Sequence, residues 1–261
     1  MSTAILALDA FPTKSIPDGI PDLPIVLIGS LGSTRTMWIE QIAALCTIGP
    51  VYAVDLRGHG DSQVIDEPAS MSDLAKDVLR ALDLDGISSA HFVGLSIGGA
   101  IAQQIALDAP ERVERLVLTS TAPKFGTPEA WAERAEKVRA DGVSSLVDGV
   151  LSKWFTEPWA AANPDVIANI RRNFERTDPT GYARCCEALA GFDSRERLGE
   201  IAAPTLVVSA DDDGSTPPDV VRPLAAGIPG ARFLRIEDGA HLCNIECADE
   251  YNAAVVEFLR P

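Results

Sequence analysis

Apolar residues in this chain come as short unbroken runs separated by longer stretches with a spacing of three and four. Ile25–Ile28 and Val51–Val54 lack in-out alternation and read as strands buried on both faces. Residues 91–93, 113–119, 204–208 and 231–236 read as further strands, and residues 3–10 as an opening one. Met71, Leu74, Ala75, Val78, Leu79 and Leu82 recur at helical spacing behind Ser70 and Asp73, a capping-box pair that predicts the helix start. Residues 100–107, 217–226 and 248–259 carry similar patterns, Pro110 closing the first, and a shorter helix is expected over 38–45 after a Pro-rich turn region at 12–24. Strands alternating with helices over long crossovers predict an α/β fold, a mainly parallel sheet covered on both faces.

The alternation stops between residues 127 and 197. Thr127-Pro128, Asn163-Pro164 and Asp178-Pro179 each place a polar cap before a Pro at the first helical position, and no strand pattern lies between them. The expected organisation is one catalytic domain, a core of residues 1–126 and 198–261 interrupted by an all-helical insertion at 127–197. Open α/β sheets bind ligands at the carboxyl ends of their strands, so an insertion there reads as a lid.

At 261 residues, 46% hydrophobic, the chain buries a core that requires no disulfide or metal staple. Its formal charge of −16 argues against nucleic acid and anionic membrane surfaces as partners. The same charge means that an anionic substrate needs a local cation. Five cysteines without metal-ligand spacing, two of them the adjacent Cys185 and Cys186, read as reduced thiols in a cytoplasmic protein. No secretory signal is expected, and no apolar run approaches the roughly 18 residues of a membrane span.

Gly94-Leu95-Ser96-Ile97-Gly98-Gly99 lies between a strand and a helix, the G-x-S-x-G context of a nucleophile elbow. A tight strand-to-helix turn pushes Ser96 out at the sheet edge and demands small residues two positions either side. It also sets the serine at a helix N-terminus, where developing negative charge is favoured. A serine hydroxyl needs a base, and the base needs an orienting acid. The chain has three histidines. His91 reads as a strand-end residue and His59 as a turn residue. His241 follows the last strand in a loop at the edge where Ser96 emerges, and is the expected base. Asp211, Asp212 and Asp213, after the strand at 204–208, are three candidates for the acid, and composition does not separate them. Backbone N–H groups of Leu31 and Ile97 are the expected donors to a tetrahedral oxyanion.

The order Ser96, acid, His241 with this elbow resembles the α/β-hydrolase superfamily and, within it, the 3-oxoadipate enol-lactonases of aromatic catabolism. The resemblance covers nearly the whole chain. It is carried by Ser30-Leu31-Gly32-Ser33 with Met37-Trp38, Asp55-Leu56-Arg57-Gly58-His59-Gly60, and Gly94 to Gly99. More specific are Gly181-Tyr182-Ala183-Arg184-Cys185-Cys186-Glu187-Ala188-Leu189, Thr216-Pro217-Pro218, and His241-Leu242-Cys243-Asn244-Ile245-Glu246. Registering on Thr216-Pro217-Pro218 implies that Asp213 is the acid. Gly29 stands where such enzymes usually have His or Asn, Ala210 replaces a usual Gly, and Ile97 a usual Met.

The resemblance implies an α/β-hydrolase fold and cofactor-free, metal-free hydrolysis of a small anionic lactone by a Ser96–His241–Asp213 triad. A carboxylated substrate in a chain of this charge calls for a cation. Arg134, one turn after Trp131, is the first candidate and Arg35 the second, with Trp131, Trp154 and Trp38 as further substrate contacts. A broader carboxylesterase, a cofactor-free perhydrolase on the same triad, and a non-catalytic sensor on the same fold are the rival readings. A dehalogenase is disfavoured, since its elbow nucleophile would be Asp.

Overall fold

A computed structural model describes residues 3–13 and 23–260. Seven strands form one sheet in the order β1-β3-β2-β4-β5-β6-β7. They are β1 (Leu8–Phe11), β2 (Ile25–Ile28), β3 (Val51–Val54), β4 (Ala90–Leu95), β5 (Val113–Thr119), β6 (Thr205–Ala210) and β7 (Arg232–Ile236). Only β1 runs antiparallel, against β3. The mainly parallel sheet with helices between its strands is the expected α/β architecture. The runs with no alternation are the buried centre: every residue of β2, β4 and β6 is buried.

The opening strand is displaced from its expected span of 3–10. Ala4, Ile5 and Ala7 spend their backbone N–H groups on side chains instead of a ladder, donating to Asp77, Gln63 and the Ser62 hydroxyl in turn. Side-chain acceptors thus hold the backbone out of the sheet until Leu8. Of the Pro-rich region expected at 12–24, residues 14–22 lie outside the described residues.

Helices α1 (Ile39–Leu45), α2 (Met71–Leu84), α3 (Ile97–Asp108), α9 (Pro218–Gly227) and α11 (Ala248–Leu259) cover the sheet, with the single-turn α10 (Cys243–Glu246) before the last. Both bonds of the capping box on α2 form, Asp73 N–H to the Ser70 hydroxyl at 3.2 Å and Ser70 N–H to the Asp73 carboxylate at 2.9 Å. Helix α3 is buried almost all round, which is why its pattern is apolar rather than amphipathic.

Between β5 and β6 lie α4 (Pro128–Asp141), α5 (Val147–Trp154), α6 (Glu157–Ala162), α7 (Pro164–Glu175) and α8 (Pro179–Ala190). All three Pro-led starts are helix starts. Thr127 and Asp178 cap with their side chains, whereas the Asn163 amide donates to the Trp159 carbonyl at 2.9 Å instead. Helix α5 has no such signal in the sequence, and α6 carries its Pro one position later, at Pro158 behind Thr156. The first is only eight residues long, and the second buries none of its residues.

Parallel strands bring the loops after β2, β4, β6 and β7 to one edge of the sheet. Among the described residues no helix is long and apolar enough to cross a membrane, and no cluster of three His, Cys, Asp or Glu could hold a metal ion.

Candidate active site

Ser96 joins β4 to α3 with φ of 59° and ψ of −120°, a conformation that costs an L-residue about 1–3 kcal/mol. The surroundings impose it. Ser96 N–H donates to the Thr119 carbonyl at 3.0 Å, and its own carbonyl accepts from the Thr121 hydroxyl at 2.7 Å and Ala100 N–H at 3.1 Å. The flanking glycines are steric necessities. A Cβ on Gly94 would lie 2.3 Å from the Gly98 carbonyl oxygen, and one on Gly98 would lie 2.0 Å from that of Ile28.

The three aspartates after β6 part company. Asp211 pairs with Arg235 at the surface, at 2.7 Å from its Nη2, and Asp212 is exposed. Asp213 is buried, with its carboxylate 2.9 and 3.0 Å from Nδ1 of His241. It also accepts Ser215 N–H and Thr216 N–H at 2.8 Å and the Thr216 hydroxyl at 2.7 Å. Burial opposes its charge, but the facing imidazole and the Thr216 donors outweigh that and hold the carboxyl below its ordinary range. With Nδ1–H committed to Asp213, Nε2 is the basic nitrogen of His241.

The histidine loop is stitched to the helical insertion. His241 N–H faces the Lys153 carbonyl at 3.4 Å, and Leu242 N–H donates to that of Trp154 at 3.0 Å. The Glu246 carboxylate accepts Ala240 N–H at 2.9 Å and Thr156 N–H at 3.2 Å, together with the Thr156 hydroxyl.

Ser96 and His241 open on a cavity of about 400 Å³, walled by Ser30, Leu31 and Thr216 from the core and by Trp131, Arg134, Lys153 and Trp154 from the insertion. The structure brings the serine and the ring to one cavity without joining them by a hydrogen bond. Ile97 is fully buried directly behind Ser96, at the first turn of α3. Arg134 donates Nε–H to the Tyr182 hydroxyl at 3.0 Å and lies 5.5 Å over the Trp131 ring, and it forms no ion pair among the described residues.

Two expected substrate contacts are not in this cavity. Arg35 is bound by Asp9 at 2.7 Å, by Asp61 at 2.9 Å and by Asp55, and lines a separate recess. Three carboxylates leave it no spare charge to offer. Trp38 ends the turn that precedes α1 and is wholly buried in the core. Of the remaining histidines, His91 sits at the start of β4, and burial, then the nearby Arg115, lower its pKa to about 4. His59 is fully buried in the turn after β3.

Lys153, Tyr182 and Glu246 join the site with no assignment from the sequence. The first two come from helices whose faces are undefined until the insertion docks.

A pattern described as the alpha/beta hydrolase family matches residues 25–254. The chain is 33% identical over 238 residues to 3-oxoadipate enol-lactonase 2 of Acinetobacter baylyi, covering 91% of this chain and 89% of that protein. It is 32% identical over 244 residues to RutD of Azorhizobium caulinodans, named provisionally as a carbamate hydrolase, covering 90% of each. The crystal structure of the enol-lactonase from Burkholderia xenovorans LB400 superposes with a TM-score of 0.92 at 38% identity, covering 98% of this chain and 96% of that one. The similarity to enol-lactonases therefore extends from the motifs to the whole length of the fold. The chain belongs to the alpha/beta hydrolase family and is a carboxylic-ester hydrolase.

Proposed function

We propose that this enzyme is a serine hydrolase that opens 3-oxoadipate enol-lactone to 3-oxoadipate in aromatic catabolism. The observation that carries the reading is the content of one cavity: a strained Ser96, His241 backed by a buried Asp213, and the guanidinium of Arg134 with no carboxylate on it. The sequence similarity to enol-lactonases supports the substrate class.

Ser96 Oγ attacks the ring carbonyl as His241 Nε2 takes its proton. The aspartate holds the imidazole in the tautomer that exposes Nε2 and stabilises the imidazolium that forms. The N–H groups of Leu31 and Ile97 receive the oxyanion. Collapse of the tetrahedral intermediate breaks the ring C–O bond and releases an enolate oxygen, which His241 reprotonates. The enol stays tethered to the acyl-enzyme, and its tautomerisation to a ketone removes the nucleophile that would re-close the ring. Water, deprotonated by His241, then frees the acid. Neither metal nor organic cofactor takes part in these steps. Arg134 holds the carboxylate of the anionic substrate against the aromatic wall of Trp131 and Trp154. We place the reaction in the cytoplasm, a reading supported by the free thiols of Cys185, Cys186, Cys243 and Cys247.

The relationship to RutD favours carbamate hydrolysis as the second reading. One experiment separates them: purified protein assayed on the enol-lactone, on p-nitrophenyl acetate and on a simple carbamate, beside Ser96→Ala. The expected result is highest kcat/KM on the enol-lactone and a loss of about 10⁴ to 10⁶ in the folded variant. Preference for the carbamate replaces the substrate assignment, and undiminished turnover by Ser96→Ala removes the serine mechanism.

A further inference from the structure

We propose that His59 is the positioning residue of the oxyanion-binding loop, acting as the hydrogen-bond acceptor that fixes the Leu31–Gly32 peptide. The proposal rests on the reading of Leu31 as an oxyanion donor.

The partners of His59 determine its tautomer. Nδ1 lies 3.0 Å from the Arg57 carbonyl, which only accepts, so Nδ1 carries the proton. The Nε2 lone pair then receives Gly32 N–H at 2.9 Å. Burial lowers the proton affinity of the ring, in keeping with a nitrogen that must accept.

That acceptor is placed where the loop can change shape. Ser33 N–H donates to the Ser30 carbonyl at 3.0 Å, closing a four-residue turn, and the Ser33 hydroxyl donates to the same oxygen at 2.7 Å. Gly32 has φ of +83°, the value that position requires in a type II turn. Types I and II differ by a flip of the central peptide, here Leu31–Gly32, and a flip would turn the Leu31 carbonyl toward the His59 lone pair. Without His59 the Gly32 N–H becomes a buried donor with no partner, and rotating this peptide is its simplest relief. That rotation moves Leu31, whose own N–H serves the oxyanion. Donors in such holes work within about 2.7–3.1 Å, and a displacement of about 1 Å costs on the order of 100-fold in rate.

The same ring faces the helical insertion. His59 stacks on Tyr182, with centroids 6.3 Å apart and planes at 23°, and the Tyr182 hydroxyl accepts from Arg134. The oxyanion loop and the cation facing the substrate are therefore held by opposite sides of one buried pair.

The test compares His59→Phe, which keeps a ring but no acceptor, with His59→Gln, whose amide oxygen reaches the Nε2 position. His59→Met, of the same length as Gln without the oxygen, decides the matter if the Phe variant does not fold. Three quantities are measured in each folded variant: kcat and KM on p-nitrophenyl acetate, and the affinity for phenylboronic acid, which forms a tetrahedral adduct on the serine. Phe and Met are expected to lower kcat about 10- to 100-fold at nearly constant KM, to weaken the boronic acid by a similar factor, and to be largely rescued by Gln. Wild-type kcat in Phe or Met, an unchanged boronic acid affinity, or equal losses in Gln and Met would each overturn the role. Wild type that neither turns over ester nor binds the boronic acid overturns the serine reading itself, which is a distinguishable result.

Discussion

Gly58 and Gly181 meet backbone to backbone: a Cβ built on either would come within 2.4 Å of the other's Cα. One belongs to the turn after β3 and the other to the first turn of α8. This is where the helical insertion seats on the core, reinforced by Asp178 N–H donating to the Gly58 carbonyl at 3.1 Å.

Gly181→Ala sets two effects against each other. Helix propensity favours Ala by about 1 kcal/mol, while an overpacked contact against immobile backbone costs about 1–3 kcal/mol. Sterics should win. The expected outcome is a lower urea midpoint and a raised KM, because α8 also carries Tyr182, the partner of Arg134. A variant more stable than wild type would show that α8 does not seat on Gly58 in solution.

The aspartates after β6 give a sharper prediction. Asp213→Asn should cost on the order of 10⁴ in kcat, by analogy with the serine-protease aspartate in which the same change selects the wrong imidazole tautomer. Asp211→Asn and Asp212→Asn should stay near wild type, since one lies in a surface ion pair and the other is exposed. A large loss at Asp212 with Asp213 spared would contradict this geometry.

Asp213 also predicts a pH dependence. Its folded pKa is depressed below the ordinary 3.8, so the unfolded chain binds the proton more readily. The stabilisation is complete above the ordinary value and is lost as pH falls through the depressed one. The stability difference between wild type and Asp213→Asn should therefore be constant near neutrality and shrink below about pH 4. Urea titrations from pH 7 down to pH 3 measure it. A difference that widens on acidification has the wrong sign for a depressed carboxyl.

Arg134→Met keeps much of the side-chain volume over Trp131 and removes the charge. It should lower kcat/KM for the carboxylated lactone by about 10-fold or more while leaving an uncharged ester nearly unaffected, as expected for loss of a charge-assisted hydrogen bond. The ratio of the two kcat/KM values is the measurement. An unchanged ratio assigns the anchor elsewhere, and Lys153 in the same cavity is then the next residue to substitute.

Glu246 receives only donors, from Ala240 and Thr156. Glutamine has one acceptor oxygen, so in Glu246→Gln its amide must face an N–H or hydroxyl on one side. We expect a loss of about 1–2 kcal/mol in stability. Because Ala240 precedes His241, the base of the proposed mechanism, kcat should fall several-fold with KM little changed. Urea denaturation and steady-state kinetics read the two effects separately. Wild-type values in both would mean that the bridge contributes nothing to His241.

Much of this protein is legible in its sequence because the responsible interactions are local. Gly94 must be small for a reason within five positions, since a Cβ there would meet Gly98, and the capping box on α2 is closed by residues three apart. Unbroken apolar runs become buried parallel strands because a strand covered on both faces has no polar side to show. Order along the chain brings Ser96 and His241 to one edge, since parallel strands align their carboxyl ends.

What the tertiary structure decided are the choices between chemically equal candidates. Three adjacent aspartates have the same charge and size, and only the packing of β6 against β7 shows which one turns inward to His241. Arg35 and Arg134 are both arginines near candidate motifs, but folding surrounds the first with Asp9, Asp55 and Asp61 and leaves the second facing a phenol and an indole. His59 looks like a turn residue until the loop after β2 is laid against its ring. A short segment such as α5 becomes a helix through the packing of Val147, Val150, Leu151 and Trp154 rather than propensity, because so few residues cannot repay the entropy of nucleation alone. Local chemistry names the parts, and the partner of a buried polar group depends on chain segments far apart in sequence.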